Sequence, residues 1–191
     1  MLFIHKDAMQ EAATPTVNNL KVHIILTSTG VQHLKTSLLY ESRKNFNNFS
    51  VVRQGWTYII FANRGFVNIT GINSYSQIES VIPQFCAAFK LDRAHVASDV
   101  VVDNISANGD FGKRCNLALL QRLLNKRGGE EERKYFTITF DRNFFPGAFC
   151  KTRGFGTLTL FPSGKFVLVG AKCLEHVEKT FLQMRAVIAI L

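Results

Sequence analysis

Trp56-Thr-Tyr-Ile-Ile-Phe61, Ala62-Asn-Arg-Gly65 and Phe66-Val-Asn-Ile-Thr-Gly71 follow one another in the first half of the chain. Gly156-Thr-Leu-Thr-Leu-Phe161, Pro162-Ser-Gly164 and Lys165-Phe-Val-Leu-Val-Gly170 do the same in the second. Each set reads as an apolar strand, a Gly-containing turn and a second strand closed by Gly, which is a hairpin. Duplication of a whole supersecondary unit constrains a fold more than any single element does.

Working outward, each hairpin runs into an amphipathic helical pattern. The first spans about Ser74 to Leu91, with Ile78, Val81, Ile82, Phe85 and Phe89 at helical spacing. Pro83 lies inside it and predicts a kink or a shortened helix. The second spans Cys173 to about Ile190, with Leu174, Val177, Phe181, Met184 and Val187 on one stripe. Its early Glu175 and Glu178 and late Arg185 suit the helix dipole. Upstream, Val22 to Thr27 and Val100 to Ile105 read as strands, each followed by a short apolar helix, at about Gln32 to Glu41 and Asn116 to Lys126. Further strands are predicted at Phe49 to Arg53 in the first half, and at Tyr135 to Phe140 and Ala148 to Lys151 in the second. The charged stretch from Lys126 to Lys134 reads as an exposed loop inserted in the second half.

Each half thus predicts an antiparallel sheet covered on one face by its two helices. Its other face is left open, and an uncovered apolar sheet face of this size calls for a partner. With 191 residues, 47% hydrophobic and 19% charged, the chain is globular rather than disordered. The formal charge of +9 points to a polyanion, nucleic acid ahead of membrane. Phenylalanine is used 17 times against one Trp and four Tyr, which raises the question of rings outside the core that could meet bases.

Several function classes lose support. Cys86, Cys115, Cys150 and Cys173 form no CxxC pair and fit no zinc spacing. His5, His23, His33, His95 and His176 form no metal spacing either, and neither a nucleophile elbow nor a P-loop is present. Neither a metal, a cofactor nor catalysis is expected. No apolar run approaches the roughly 18 residues of a membrane span. The mixed, polar stretch Met1 to Thr16 does not resemble a secretory signal, so reduced thiols in the cytosol or nucleus are expected.

Phe145-Pro-Gly147, Thr159-Leu-Phe-Pro-Ser-Gly-Lys165 and Leu168-Val-Gly-Ala-Lys172 together resemble the second repeat of the TATA-box-binding protein family. That repeat has a Phe-Pro-Gly turn, a Phe ending the next strand, a Ser-Gly-Lys hairpin turn and a Thr-Gly-Ala-Lys lead into the last helix. Asp103-Asn-Ile105 is similar to the family's Gln-Asn-Ile. The first half matches more loosely, through Pro15 to Leu20, Asn48 to Val52, Ile60 to Ala62 and Thr70-Gly71.

The resemblance implies an α+β fold: a pseudo-twofold saddle whose curved antiparallel sheet carries its helices on the convex face. It divides the chain into an extension (1–14) and two repeats (15–93 and 94–191). It implies a general transcription initiation factor that binds promoter DNA through the minor groove and bends it. The family kinks DNA with two pairs of Phe, which fall here on Phe49 with Phe61 and on Phe145 with Phe161; Phe46 is the alternative to Phe49. The groove floor falls on Asn19, Asn104, Thr70, Val167 and Val169. Lys21, Asn68 and Ser106 occupy positions that are Val in the family, which puts strict TATA preference in question. Phosphate contacts fall on Arg53, Arg64, Lys151, Arg153 and Lys165.

The implied partners are double-stranded, A·T-rich promoter DNA, a transcription factor IIB-like factor and the RNA polymerase machinery. The location is the nucleus, or the site of viral transcription for a viral chain. The alternative is a family-like protein-interaction module with weak or no TATA-specific binding.

Overall fold

The structure, a computed structural model, describes residues 14–36, 49–127 and 136–189. By packing, the chain divides into two compact units, one of Val17–Ile105 and one containing Ser106–Leu191.

The first unit contains β1 (Thr16–Ile25), α1 (Ser28–Thr36), β2 (Phe49–Arg53), β3 (Trp56–Phe61), β4 (Phe66–Ile72) and α2 (Val81–Phe89). Its sheet is antiparallel, in the order β2-β3-β4-β1. Arg53 pairs with Trp56 across a two-residue turn, Gln54-Gly55, with both φ angles positive at 51° and 82°. Such turns match the twist of the strands they join. The second unit takes up the chain within β5 (Val101–Asp110) and continues with α3 (Leu117–Arg127), β6 (Phe136–Thr139), β7 (Ala148–Thr152), β8 (Gly156–Leu160), β9 (Lys165–Ala171) and α4 (Leu174–Ile188). Its sheet is antiparallel too, ordered β9-β8-β7-β6.

The two hairpins expected from the duplicated sequence are present in matching register. Thr57 faces Thr70 and Ile60 faces Val67 in the first; Thr157 faces Val169 and Leu160 faces Phe166 in the second. Each closing glycine has a φ of about +90°, 92° at Gly71 and 91° at Gly170, where a side chain would strain the backbone. At Gly71 this accompanies a bulge, since the β1–β4 register shifts between Leu20 and Val22.

Each unit has its own core on one sheet face. In the first, Tyr58 is enclosed by Phe85 and Phe89 of α2, with ring centroids 6.0 and 5.3 Å away. In the second, Phe166 and Phe111 meet Phe181 of α4 at 5.7 and 5.3 Å. Burying such rings contributes roughly 2–3 kcal/mol each.

Several boundaries differ from the sequence expectation. α1 begins at Ser28, four residues early, because the Thr27 hydroxyl caps it by accepting the Gly30 N–H at 3.1 Å. β1 begins at Thr16 and β5 runs on to Asp110, since pairing and burial override the weak strand propensity of Asn and Gly. Pro83 is the third residue of α2, in the first turn, where its missing N–H has no intrahelical partner to lose. The irregularity expected from it lies just before, as a 3₁₀ stretch at Tyr75–Ser80 capped by Ser74 and Gln77.

The repeats drawn at 15–93 and 94–191 have a different edge from the packed units. The segment after Arg93 packs with the first unit: Thr27 N–H donates to His95 O at 3.0 Å and Ala97 N–H to Ile25 O at 2.8 Å. Most of the expected 1–14 extension and the 128–134 part of the charged loop lie outside the described residues.

Candidate nucleic-acid interface

Strand alternation gives each sheet two unlike faces. In the first unit Leu20, Val22, Ile24, Tyr58, Ile60, Val67 and Ile69 are buried against the helices. The alternate residues Asn19, Lys21, His23, Thr57, Ile59, Phe61, Phe66, Asn68 and Thr70 are half-buried. In the second unit Ala148, Cys150, Leu158, Leu160, Phe166 and Leu168 are buried, while Phe149, Val167 and Val169 remain 40%, 39% and 41% exposed. Each unit therefore presents one sheet face to solvent, with Phe149, Val167 and Val169 on it in the second unit and a mixture of polar residues with Ile59, Phe61 and Phe66 in the first.

At the end of the β7–β8 hairpin, the Phe145 ring lies 5.9 Å from that of Phe161 and stacks on Phe149 at 5.1 Å and 18°. The chain reaches Phe145 through a turn in which the Asp141 carboxylate accepts the Asn143 N–H at 2.9 Å. A side chain at Gly147 would come within 2.9 Å of the Phe145 ring, so glycine there makes room for the cluster. Sequence reasoning missed Phe149. The period-two alternation along Ala148–Thr152, which puts Phe149 and Lys151 together on the accessible face, was the signal for it.

At the matching place in the first unit, Phe61 stacks on Phe66 at 4.5 Å and 16°. Phe49 is placed by its backbone register: it pairs with Ile60, as Ala148 pairs with Leu160. The residue three positions before Ala148 is Phe145, and the one three before Phe49 is Phe46, which lies outside the described residues. The structure thus brings Phe145 and Phe161 together and does not bring Phe49 into the equivalent of Phe145.

The Asn19 amide oxygen accepts two hydrogen bonds at the bulge, from Gly71 N–H at 3.0 Å and from the Thr70 hydroxyl at 3.1 Å. A backbone N–H can only donate, so the oxygen must face the bulge and the two amide N–H donors are turned outward. Asn104, its counterpart in β5, is half-buried. His23 Nδ1 lies 3.0 Å from the Asp103 carboxylate, both about a quarter exposed.

Among the cationic candidates, Arg64, Lys151, Arg153 and Lys165 are exposed, Arg64 and Arg153 at turns and Lys151 and Lys165 on strands. Arg53 is placed otherwise. It faces Trp56 in register, and its guanidinium lies over the Phe89 ring of α2 at 5.7 Å, on the helix-covered side. Val52, the register equivalent of Lys151, takes the accessible side instead and is 67% exposed.

The described residues hold no cluster of three metal-ligating groups, and all four cysteines are free thiols. Burial pushes the Cys150 thiol up to about 12, with the neighbouring Cys115 adding to the effect, so it belongs to the core and not to a reactive site.

A helix-backed antiparallel sheet, built twice and bare on one face, defines an α+β class of fold. Residues 99–191 match the family described as "Transcription factor TFIID (or TATA-binding protein, TBP)". Fifteen solved chains match the fold. One is the TBP of Methanococcus jannaschii, 19% identical, matched over 94% of this chain and 100% of that one with a TM-score of 0.66. No curated protein matches the sequence. Residues 99–191 are thus similar to the TATA-binding protein family, and the chain as a whole has the fold of the archaeal TBP.

Proposed function

We propose that the protein binds promoter DNA in the minor groove through its accessible sheet faces and bends it by inserting phenylalanines between base pairs. The observation that carries this reading is the Phe145–Phe161 pair, 5.9 Å apart at a hairpin end beside the apolar face of Val167 and Val169. Unstacking a base step costs a few kcal/mol, roughly, and the wider contact surface of bent DNA offsets it. In the first unit Phe61 is the matching wedge, and the register of β2 supports Phe46 over Phe49 as its companion. Asn19, with its donors turned outward, and Asn104 address the A N3 and T O2 acceptors, which A·T and T·A present alike. Thr70, Val167 and Val169 complete the floor. Arg64, Lys151, Arg153 and Lys165 take phosphates; Arg53, held over Phe89, has a structural role instead.

A transcription factor IIB-like factor, the polymerase machinery and a nuclear location follow from the family in this reading. Energy transfer between dyes at the ends of A·T-rich and random duplexes tests it: binding shortens the end-to-end distance of the A·T-rich duplex. A protein that binds neither duplex at low salt is the interaction module instead.

A further inference from the structure

The two units carry different chemistry at matching floor positions. Resting on the minor-groove reading, we propose that the floor of Val17–Ile105 accepts G·C base pairs while that of the second unit excludes them, so that the protein reads an asymmetric site. Register sets Asn68 and Thr70 of β4 in the places held by Val167 and Val169 of β9. In the minor groove a G·C pair differs from A·T chiefly by the guanine N2 amine, a donor. Against Val167 and Val169 that amine would lose its water without gaining an acceptor, which is costly.

The second unit keeps an exposed amide at Asn108 of β5, the counterpart of His23, but only the first unit has acceptors at the two hairpin places. His23 stands opposite Asn68 in the β1–β4 register. Its Nδ1 faces the Asp103 carboxylate at 3.0 Å. A carboxylate accepts, so Nδ1 carries the proton, and whenever the ring is neutral Nε2 is an acceptor. Among the described residues neither Nε2 nor the Asn68 amide has a hydrogen-bond partner, and both residues are half-buried on the accessible face. An unpartnered imidazole nitrogen and amide carbonyl side by side form a receptor for an amine.

The experiment walks single G·C pairs along an A·T-rich duplex and repeats each with inosine·C, which lacks the amine. Penalties of about tenfold or more in affinity are expected across one half-site, relieved by inosine, with penalties under about threefold across the other. Replacing Asn68→Val, or separately His23→Val, should extend the large, inosine-relieved penalty into the tolerant half. Equal penalties in both halves of the wild-type ladder overturn the proposal while leaving minor-groove binding intact. So does a ladder that the folded variants leave unchanged. Failure to bind any duplex overturns the minor-groove reading itself, and this inference with it.

Discussion

Phe85 and Phe145 are the same residue in opposite settings. Phe85 is fully buried between Tyr58 and Phe89, whereas Phe145 sits half-buried at a turn with Phe149 and Phe161. Phe85→Ala is expected to cost about 3–5 kcal/mol, read as a lower melting temperature. Replacing Phe145 and Phe161 together by Ala should cost far less stability and abolish DNA bending in the energy-transfer assay. If that double variant unfolds instead, these rings are core and not wedges. Cys150 makes a second residue-scale prediction. Its thiol is raised from 9.0 to about 12 in the folded protein, so the folded state keeps a proton that the unfolded chain releases. Stability is then fully present below pH 9 and declines as pH rises toward 12. Melting curves should show a steeper loss across that window in the native chain than in Cys150→Ala. At this scale the sequence was readable where a residue sits inside a strongly patterned hairpin, as Phe161 and Val167 do. It was not readable for Phe49 or Arg53, because a shift of one or three residues in β2 changes the face or the motif position, and only pairing fixes the count.

At the scale of elements, the β4 bulge joins local geometry to the site. Gly71 supplies both a φ of +92° and an N–H held by Asn19 at 3.0 Å, and a Cβ there would lie 3.1 Å from Gly55 O. Gly71→Ala should therefore destabilise the fold by about 1–2 kcal/mol. It should also weaken DNA binding more than that loss explains, because Asn19 would no longer be oriented. Comparing binding at a temperature where the variant is fully folded separates the two effects, and unchanged affinity there would remove Asn19 from the interface. The hairpins and the four helices could be read from periodicity, since they bury one stripe or one face. The ends of α1, β1 and β5 could not, because a single hydroxyl cap at Thr27 sets the first and pairing with neighbouring strands sets the others. Pro83 is instructive in the same way: the helix is shortened as expected, and it begins at Val81 so that Pro83 falls in its first turn.

At the scale of the molecule, duplication and charge were the two legible properties, and they bear on different questions. Duplication specifies the fold, which the likeness to an archaeal TBP bears out at a TM-score of 0.66 despite 19% identity. The point where one packed unit yields to the next was not legible, because it falls inside the continuous strand β5, whose Val101–Ile105 packs with the first unit and Ser106–Asp110 with the second. The formal charge of +9 gives the last prediction. Each cation that neutralises a phosphate releases counterions, so log affinity should fall linearly with log salt by roughly 0.9 per contact. Arg64→Ala, Lys151→Ala, Arg153→Ala and Lys165→Ala should each reduce that slope by about one contact's worth and weaken binding evenly across sequences. Arg53→Ala is the informative control. It removes the same charge, yet its guanidinium lies over Phe89 at 5.7 Å, so the salt slope should stay at the native value. Melting should fall instead, by the equivalent of about 0.5–1 kcal/mol for the lost cation–π contact. A slope that drops equally for all five would mean that net charge alone attracts the DNA, with no set of phosphate sites on the sheet. A drop confined to the other four is what separates an oriented interface from a basic surface.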